Sequence, residues 1–204
     1  MYYLVVTDIP TYFNQVLNMQ LDENGLLSGL PCLAAFFTQL VSGLAADFLI
    51  SKGYSVTVTR RLMAAVSLYP TAVFLFLVGY VGCDDTSLSV TYIVLILGIA
   101  NLSYSSYGIN PLDISPRFAG LIWSISAWFS NIPGAVTPLL TGYIVNEHPT
   151  RHYYRIVFDI AAGICAFTAT FYCVFSSGEE QDWDRVDGDE NDALLKTGYD
   201  EELT

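Results

Sequence analysis

The chain has 204 residues, of which 53% are hydrophobic and 14% are charged, and its mean hydropathy is +0.45. Soluble domains carry about 25% charged residues, so this chain lacks the polar coat that a soluble domain of its size needs. The net charge of −12 arises mostly in the acidic stretch Ser177–Thr204. With only 8 Lys and Arg, the chain lacks the basic surface of a nucleic-acid-binding protein. The composition therefore predicts a membrane protein, with the lipid bilayer as its surroundings.

Five apolar runs are long enough to cross a bilayer, which takes about 20 residues of α-helix. They are Gly25–Ile50, Leu62–Gly82, Leu88–Ile109, Gly120–Val145 and Ile156–Phe175. The sequence thus predicts an all-α, polytopic membrane protein with a transmembrane domain over residues 1–177. Residues 1–17 are expected to be the end of a truncated helix, and the acidic residues 178–204 a disordered tail.

Basic residues predict the orientation, because cytoplasmic loops carry an excess of Lys and Arg. The loop after the first run holds Lys52, Arg60 and Arg61, whereas the loop after the second holds Asp84 and Asp85 and no basic residue. We therefore expect the Lys52 loop and the acidic tail to face the cytoplasm.

A polar stripe lies near the end of the third run. Asn101, Tyr104, Ser105 and Gly108 are spaced i, i+3, i+4 and i+7, which places them on one face of a regular helix. Such a stripe either lines a substrate path or supplies hydrogen bonds between helices, and its composition leaves both readings open. In the fourth run, Asn131 comes just before a proline kink, and kinked helices often mark binding sites in transporters.

The sequence shows no sign of enzymatic chemistry. It contains neither a Gly-rich phosphate loop nor a nucleophile elbow. The spacings of its four cysteines fit no metal site. The apolar runs hold almost no ionisable side chain, although an anion carrier needs cationic or titratable groups in its core. We expect no enzyme, no metal site and no cofactor.

Two motifs resemble those of a known family. Gly43 and Asp47, followed by Arg60 and Arg61, resemble the Gly-x-x-x-Asp…basic signature of the major facilitator superfamily. The stretch Gly108–Gly120 resembles the Asn-His-Leu-Asp-Ile-Ala-Pro-Arg-Tyr-Ala-Gly stretch of the family of sodium/phosphate cotransporters, sialin and vesicular glutamate transporters. The resemblance extends over about residues 8–183 and implies the six-helix carboxyl-terminal lobe of such a transporter, with its first helix truncated.

The resemblance also implies roles for single residues. Gly43, Asp47, Arg60 and Arg61 would form a cytoplasmic gate motif, in which the arginines pair with Asp47 in one conformation. A second set, the family signature before the eleventh helix, comprises Asn110, Asp113 and Arg117, and Asn110 is expected on the substrate path. Asp113 and Arg117 are four residues apart, so they are expected either to pair as a gate latch or, alternatively, to leave Asp113 as a helix-start cap.

One motif in the tail concerns location rather than transport. Glu190, Leu194 and Leu195 resemble an acidic dileucine sorting signal, although such short motifs also arise by chance. The family is found in plasma membranes and in endolysosomal or vesicular membranes, and the sequence does not separate these.

The function that the resemblance implies is transport of a small anion, either inorganic phosphate or an organic anion, as part of a longer carrier. Transport would occur by ion-coupled alternating access, with Na⁺ or H⁺ as the coupling ion. The partner would be the missing amino-terminal half, which is expected to hold most substrate-binding charges. One alternative is a truncated form that does not transport but binds and modulates a full-length carrier. Another is a channel subunit.

Overall fold

The computed structural model describes residues 21–81, 86–145 and 151–184. Within these ranges the regular structure is helical throughout, which confirms the all-α fold. The elements are α1 (Leu21–Ser51), α2 (Val56–Val78), α3 (Thr86–Asn101), a π-helical segment (Tyr104–Gly108), α4 (Asn110–Ile114), α5 (Ala119–Val145) and α6 (Arg151–Phe175). Each of the five long helices overlaps one of the apolar runs.

Within the described ranges, four stretches have the length and the apolar composition needed to cross a membrane. They are Gly29–Ser51, Val56–Val78, Ser87–Ile114 and His152–Phe175. Helix α5, which was also expected to span, is long enough at 27 residues. It is missing from this set because its Ser, Thr, Asn and Pro residues lower its hydropathy.

The outer faces of the helices are apolar. Leu44, Trp128 and Phe167 are 72%, 67% and 71% exposed. Helices with apolar outer faces suit a lipid environment, in which their own backbone hydrogen bonds are all satisfied. The exposed apolar side chains therefore belong against lipid or against further helices.

A tight turn joins α1 to α2. Gly53 ends α1 with φ +92°, a backbone conformation that side-chain-bearing residues rarely adopt. Ser55 then caps α2, because its side chain accepts a hydrogen bond from the backbone N–H of Val58 at 3.3 Å. Helix α2 therefore begins at Val56, so Arg60 and Arg61, expected in a loop, lie in the first turns of a helix instead.

The core is built around α2. This helix packs against α6 on one side and α3 on another, while α1 packs mainly against α3. Leu75, Ile93 and Ile96 are completely buried at the centre of the apolar cluster. Small polar residues, Ser67 and Thr71, are buried beside them and bond to backbone carbonyls of their own helix. Close packing through small residues is typical of helices in membranes.

The bundle has two ends, which we name by one residue each. At the Arg60 end, α1 ends, α2 begins, and the π-helical segment leads into α4 and α5. At the Arg155 end, the Arg155 guanidinium lies 3.6 Å from the centroid of the Tyr80 ring, and Arg155 Nε lies 3.8 Å from Asp159 Oδ2. Arg155 therefore belongs to α6 and links it to the end of α2.

The acidic tail begins later than the sequence indicated. Gly178 and Asp184, assigned to the tail, are buried against the helices at the Arg60 end. The sorting motif Glu190, Leu194 and Leu195 lies outside the described residues, as does the partial helix over residues 1–17.

Candidate functional site

A cavity of about 790 Å³ opens between the helices, and side chains from all five long helices line it. Its polar lining consists of Gln39, Asn101, Ser103, Tyr104, Ser106, Tyr107, Trp123, Ser130, Thr168 and Tyr172. Its apolar lining consists of Ala64, Leu68, Leu97, Ala100 and Pro133. Among the described residues this lining carries hydrogen-bonding groups but no charged side chain.

Aromatic rings form one corner of the cavity. The ring of Tyr104 meets the rings of Tyr107 and Trp123 edge-on, with centroid distances of 6.0 Å and 6.2 Å. Gly108 lies directly beneath Tyr104, and a Cβ at this position would come 3.0 Å from the ring. A side chain at position 108 would force the ring to shift by a few tenths of an ångström, so Gly108 favours this placement of Tyr104.

The polar residues of the third run cause the change from α-helix to π-helix. The Asn101 amide donates to the carbonyl of Leu97 at 2.8 Å. The hydroxyl of Ser103 donates to the carbonyl of Ala100 at 2.5 Å. Such side-chain bonds compete with the helix's own hydrogen bonds and bend it. In addition, Ser42 of α1 donates to the carbonyl of Leu102 at 2.7 Å. The regular helix therefore ends at Asn101.

A buried ion pair lies beside the cavity at the Arg60 end. Arg60 Nε donates to Asp113 Oδ2 at 2.6 Å, and Arg60 Nη2 donates to Asp113 Oδ1 at 3.0 Å. The two side chains are 6% and 16% exposed. Two parallel hydrogen bonds between a guanidinium and a carboxylate give a strong and geometrically specific contact.

Two further hydrogen bonds tie this ion pair to the π-helical segment. Arg60 Nη1 donates to the carbonyl of Ser105 at 2.7 Å. The hydroxyl of Ser106 donates in turn to the carbonyl of Arg60 at 2.6 Å. Arg60 thus joins α2 to the π-helical segment and, through Asp113, to α4. Ser106 bonds to Arg60 and also lines the cavity, so it connects the ion pair to the cavity.

The gate residues make other contacts than those expected from the sequence. Asp47 is exposed, and among the described residues it forms no ion pair with Arg60 or Arg61. Arg61 donates instead to the carbonyl of Ser176, from Nε at 3.0 Å and from Nη2 at 2.5 Å. Gly43, expected to allow close helix approach, has no described atom within 4 Å of where a Cβ would lie.

The expected pair between Asp113 and Arg117 is not formed in this conformation. Both carboxylate oxygens of Asp113 accept from Arg60. The Arg117 guanidinium lies 5.2 Å from the centroid of the Phe118 ring. Asp113 also lies in the first turn of α4, where a carboxylate is favoured by the helix dipole. Its partner differs because α2 begins earlier than the apolar run and brings Arg60 within reach.

Of the residues expected on the substrate path, the structure brings Asn101 and Tyr104 to the cavity. Ser105 faces Arg60 and is 2% exposed, because the π-helical segment shifts the helical register after Asn101. Asn110 is also buried, and its amide donates to the carbonyl of Ser177 at 2.7 Å. Asn131 is exposed on α5 and donates to the carbonyl of Ala127 at 2.7 Å.

The sequence interpretation missed three lining residues on α1 and α6. Gln39 is the single amide within an otherwise apolar run, and that isolation was an available signal. Thr168 and Tyr172 are four residues apart on α6. They were not distinguishable from ordinary helix-packing residues, since Thr170 lies between them and the other neighbouring positions are apolar.

Comparison with known proteins decides the family. A profile of the Major Facilitator Superfamily matches residues 1–197. The chain belongs to the major facilitator superfamily. It is therefore an integral membrane protein with several spans, in agreement with its apolar helices.

The related proteins fall in the group that the motifs indicated. A Drosophila melanogaster protein named "Putative inorganic phosphate cotransporter" is 38% identical over 199 residues, which is 96% of this chain and 37% of that protein. Human sialin is 36% identical over 183 residues, or 89% of this chain and 37% of sialin. Vesicular glutamate transporter 1 of Xenopus tropicalis is 33% identical over 183 residues, or 89% of this chain and 31% of that protein. The chain thus spans less than half the length of the curated relatives it matches.

Proposed function

We propose that this chain forms one lobe of an ion-coupled carrier for a small anion, either inorganic phosphate or an organic anion, as part of a longer protein. The observation that carries this proposal is the open cavity, whose wall is drawn from all five long helices. Superfamily carriers move one helical half against the other around a site near the membrane midplane. A cavity with one polar wall is what a single half of such a carrier presents.

The uncharged lining supports different roles for this lobe and for the rest of the carrier in substrate binding. The described part of the wall offers amides, hydroxyls and aromatic rings, and no Lys, Arg or His. A bound anion needs a positive partner inside the membrane, because burial of an unpaired charge is costly. The cation that holds the substrate is therefore contributed by other parts of the carrier, and this lobe orients the substrate by hydrogen bonds and ring contacts.

The residues at the Arg60 end support the proposal of a cytoplasmic gate. We assign this end to the cytoplasmic side, as the basic residues predict. The gate residues Gly43, Asp47, Arg60, Arg61, Asp113 and Arg117 all lie there. The latch that the sequence suggested between Asp113 and Arg117 is replaced in this conformation by a latch between Asp113 and Arg60, which holds α2 against α4. Opening towards the cytoplasm requires these two side chains to separate or to move together.

Three finer points stay predictions. The coupling ion is Na⁺ or H⁺. The protein lies in a vesicular, endolysosomal or plasma membrane, as the family of its relatives suggests. The tail faces the cytoplasm, where Glu190, Leu194 and Leu195 would be read by sorting machinery. Deletion of Leu194 and Leu195 is expected to change the location of the protein in the cell, and an unchanged location removes this motif from the proposal.

Substrate protection tests the cavity directly. In the carrier with its native cysteines replaced by serine, Asn101→Cys is expected to react with a water-soluble thiol reagent, and the transported anion is expected to slow the reaction. Tyr54→Cys is the matched control, since Tyr54 is 54% exposed in the turn after α1 and away from the cavity lining. Slowing at both positions, or at neither, contradicts the assignment of the cavity as the substrate path.

A further inference from the structure

The segment that follows α6, residues 176–184, crosses the Arg60 end of the bundle, and we call it the clasp. Its first contacts are with the beginning of α2. Arg61 donates to the carbonyl of Ser176 from Nε at 3.0 Å and from Nη2 at 2.5 Å. The backbone N–H of Gly178 donates to Thr57 Oγ1 at 3.0 Å. The clasp is therefore fixed to α2 by hydrogen bonds beside the Arg60–Asp113 pair.

The clasp next contacts α4. The amide of Asn110 donates to the carbonyl of Ser177 at 2.7 Å. The backbone N–H of Gln181 donates to the carbonyl of Ile114 at 3.0 Å. Asn110 is one of the residues of the family signature, and its buried amide serves this contact rather than the cavity.

The last residue of the clasp reaches the beginning of α5. Asp184 is 5% exposed, and its Oδ1 accepts from the hydroxyl of Ser115 at 2.8 Å. Its Oδ2 accepts from the backbone N–H of Arg117 at 3.3 Å. The oxygen of Ser115 accepts in turn from the backbone N–H of Phe118 at 3.1 Å. A carboxylate at this position accepts from the backbone N–H of Arg117 just before α5 and is favoured by the dipole of that helix.

The fit at Gly178 is tight. A Cβ at this position would lie 2.9 Å from Val56 Cγ1 and 3.0 Å from the backbone nitrogen of Thr57. One of these two atoms belongs to the backbone, which cannot give way as a flexible side chain does. A larger residue at position 178 must therefore displace the clasp from the start of α2.

We propose that the clasp is a closing device of the cytoplasmic gate, and that Asp184 must leave Ser115 and Arg117 before the Arg60 end opens. This inference rests on the proposed carrier function. Its physical basis is the difference in packing between helices. Helices α2 and α6 are in close contact, whereas α5 contacts α4 and α6 only sparsely. We therefore expect α2 and α6 to move as one body. The clasp continues from α6 and bonds to the start of α5, so it restrains the helix that is most free to move.

A reversible crosslink tests the inference. In the full carrier with its native cysteines replaced by serine, Ser115→Cys and Asp184→Cys together place two thiols where the side chains already touch. The matched control joins α2 to α6 at the opposite end with Gly79→Cys and Arg155→Cys, because a Cβ at Gly79 would lie 3.5 Å from Arg155 Cα. Anion uptake is measured with each pair oxidised and then reduced. The access of a membrane-impermeant thiol reagent from the cytoplasmic side to Asn101→Cys is measured in parallel.

Oxidation of the clasp pair is expected to abolish uptake and cytoplasmic labelling together, and reduction is expected to restore both. Oxidation of the control pair is expected to change neither, since α2 and α6 move as one body. Uptake or labelling that continues with the clasp pair oxidised overturns the proposal, because the clasp is then a static part of the lobe. If labelling follows the redox state but no anion is taken up by the reduced protein, the clasp survives and the proposed carrier function fails.

Gly178→Ala gives an independent test that does not depend on the crosslink. It should weaken the clasp and raise the cytoplasmic labelling rate of Asn101→Cys about fivefold, the population change that corresponds to the loss of one intramolecular hydrogen bond. The matched variant Gly163→Ala should leave the labelling rate unchanged, because no described atom lies within 4 Å of a Cβ at Gly163. Equal labelling rates in both variants would overturn the inference.

Discussion

Removal of the negative charge at Asp113 is the perturbation for which the structure gives the clearest expectation. The Arg60 side chain is 6% exposed and the Asp113 side chain 16% exposed. Asp113→Asn leaves the guanidinium buried without its counter-ion, while the side chain keeps its shape. Breaking a buried ion pair by removing one partner costs about 3–5 kcal/mol.

The lower end of that range applies here. Arg60 keeps its hydrogen bond to the carbonyl of Ser105 at 2.7 Å, and Asp113 lies near the surface of the lobe. We therefore expect the free energy of unfolding to fall by about 3 kcal/mol. In the double variant Arg60→Gln with Asp113→Asn, no charge is left unpaired. Its loss should be smaller than the sum of the two single losses by about 1–3 kcal/mol.

Equilibrium unfolding in mixed detergent micelles measures these free energies on the purified protein. Arg117→Gln is the control, since it removes a neighbouring arginine whose guanidinium contacts only an exposed ring, Phe118, at 5.2 Å. It should cost about 0.5–1 kcal/mol. The reasoning is refuted if Asp113→Asn costs no more than Arg117→Gln, or if the double variant loses the full sum of its parts.

Three other outcomes follow from burial and contacts. Leu75 is completely buried, so Leu75→Ala should lower the free energy of unfolding by about 2–5 kcal/mol. Leu44 is 72% exposed, so Leu44→Ala should change it by about 0.5 kcal/mol or less. The same detergent titration compares the two variants. Arg155→Gln should cost about 1 kcal/mol, because its ring contact and its ion pair lie at a half-exposed site, and it should leave uptake unchanged. Tyr107→Cys should react readily with a water-soluble thiol reagent while Ser105→Cys stays protected, because these residues are 48% and 2% exposed; the reverse order would show that the helix continues without a π-helical segment.

The long helices were predictable because their length follows from membrane thickness. About 20 apolar residues in succession have few stable structures other than a spanning helix. The ends were less predictable, since polar side chains extend helices beyond their apolar runs. Ser55 caps α2, which begins at Val56, six residues before the expected start at Leu62. This extension places Arg60 on a helix facing Asp113.

The candidate site was predictable only in part, and the π-helical segment explains why. A spacing of i, i+3, i+4 and i+7 marks one face only while the helix is regular. The side chains of Asn101 and Ser103 end that regularity, so Ser105 is buried and does not line the cavity with Tyr104. Asp113 pairs with Arg60, which lies 53 positions away in the sequence. Local spacing cannot reveal such a contact.

The clasp escaped prediction for a different reason. Strongly acidic stretches usually remain solvated, and Asp184 lies within such a stretch. Its burial depends on the hydroxyl of Ser115 and the backbone N–H of Arg117, which meet in front of α5 only once the helices are in place.

The central claim is that this chain is one lobe of an anion carrier, and uptake into proteoliposomes tests it most directly. The longer carrier that contains this chain is reconstituted, and uptake of phosphate, glutamate and sialic acid is measured with and without a Na⁺ or a proton gradient. The same measurement is made with the chain of 204 residues by itself. The account predicts gradient-dependent uptake of at least one anion by the longer protein and none by the isolated chain. Absence of anion uptake by the longer protein, or uptake by the isolated chain, contradicts it.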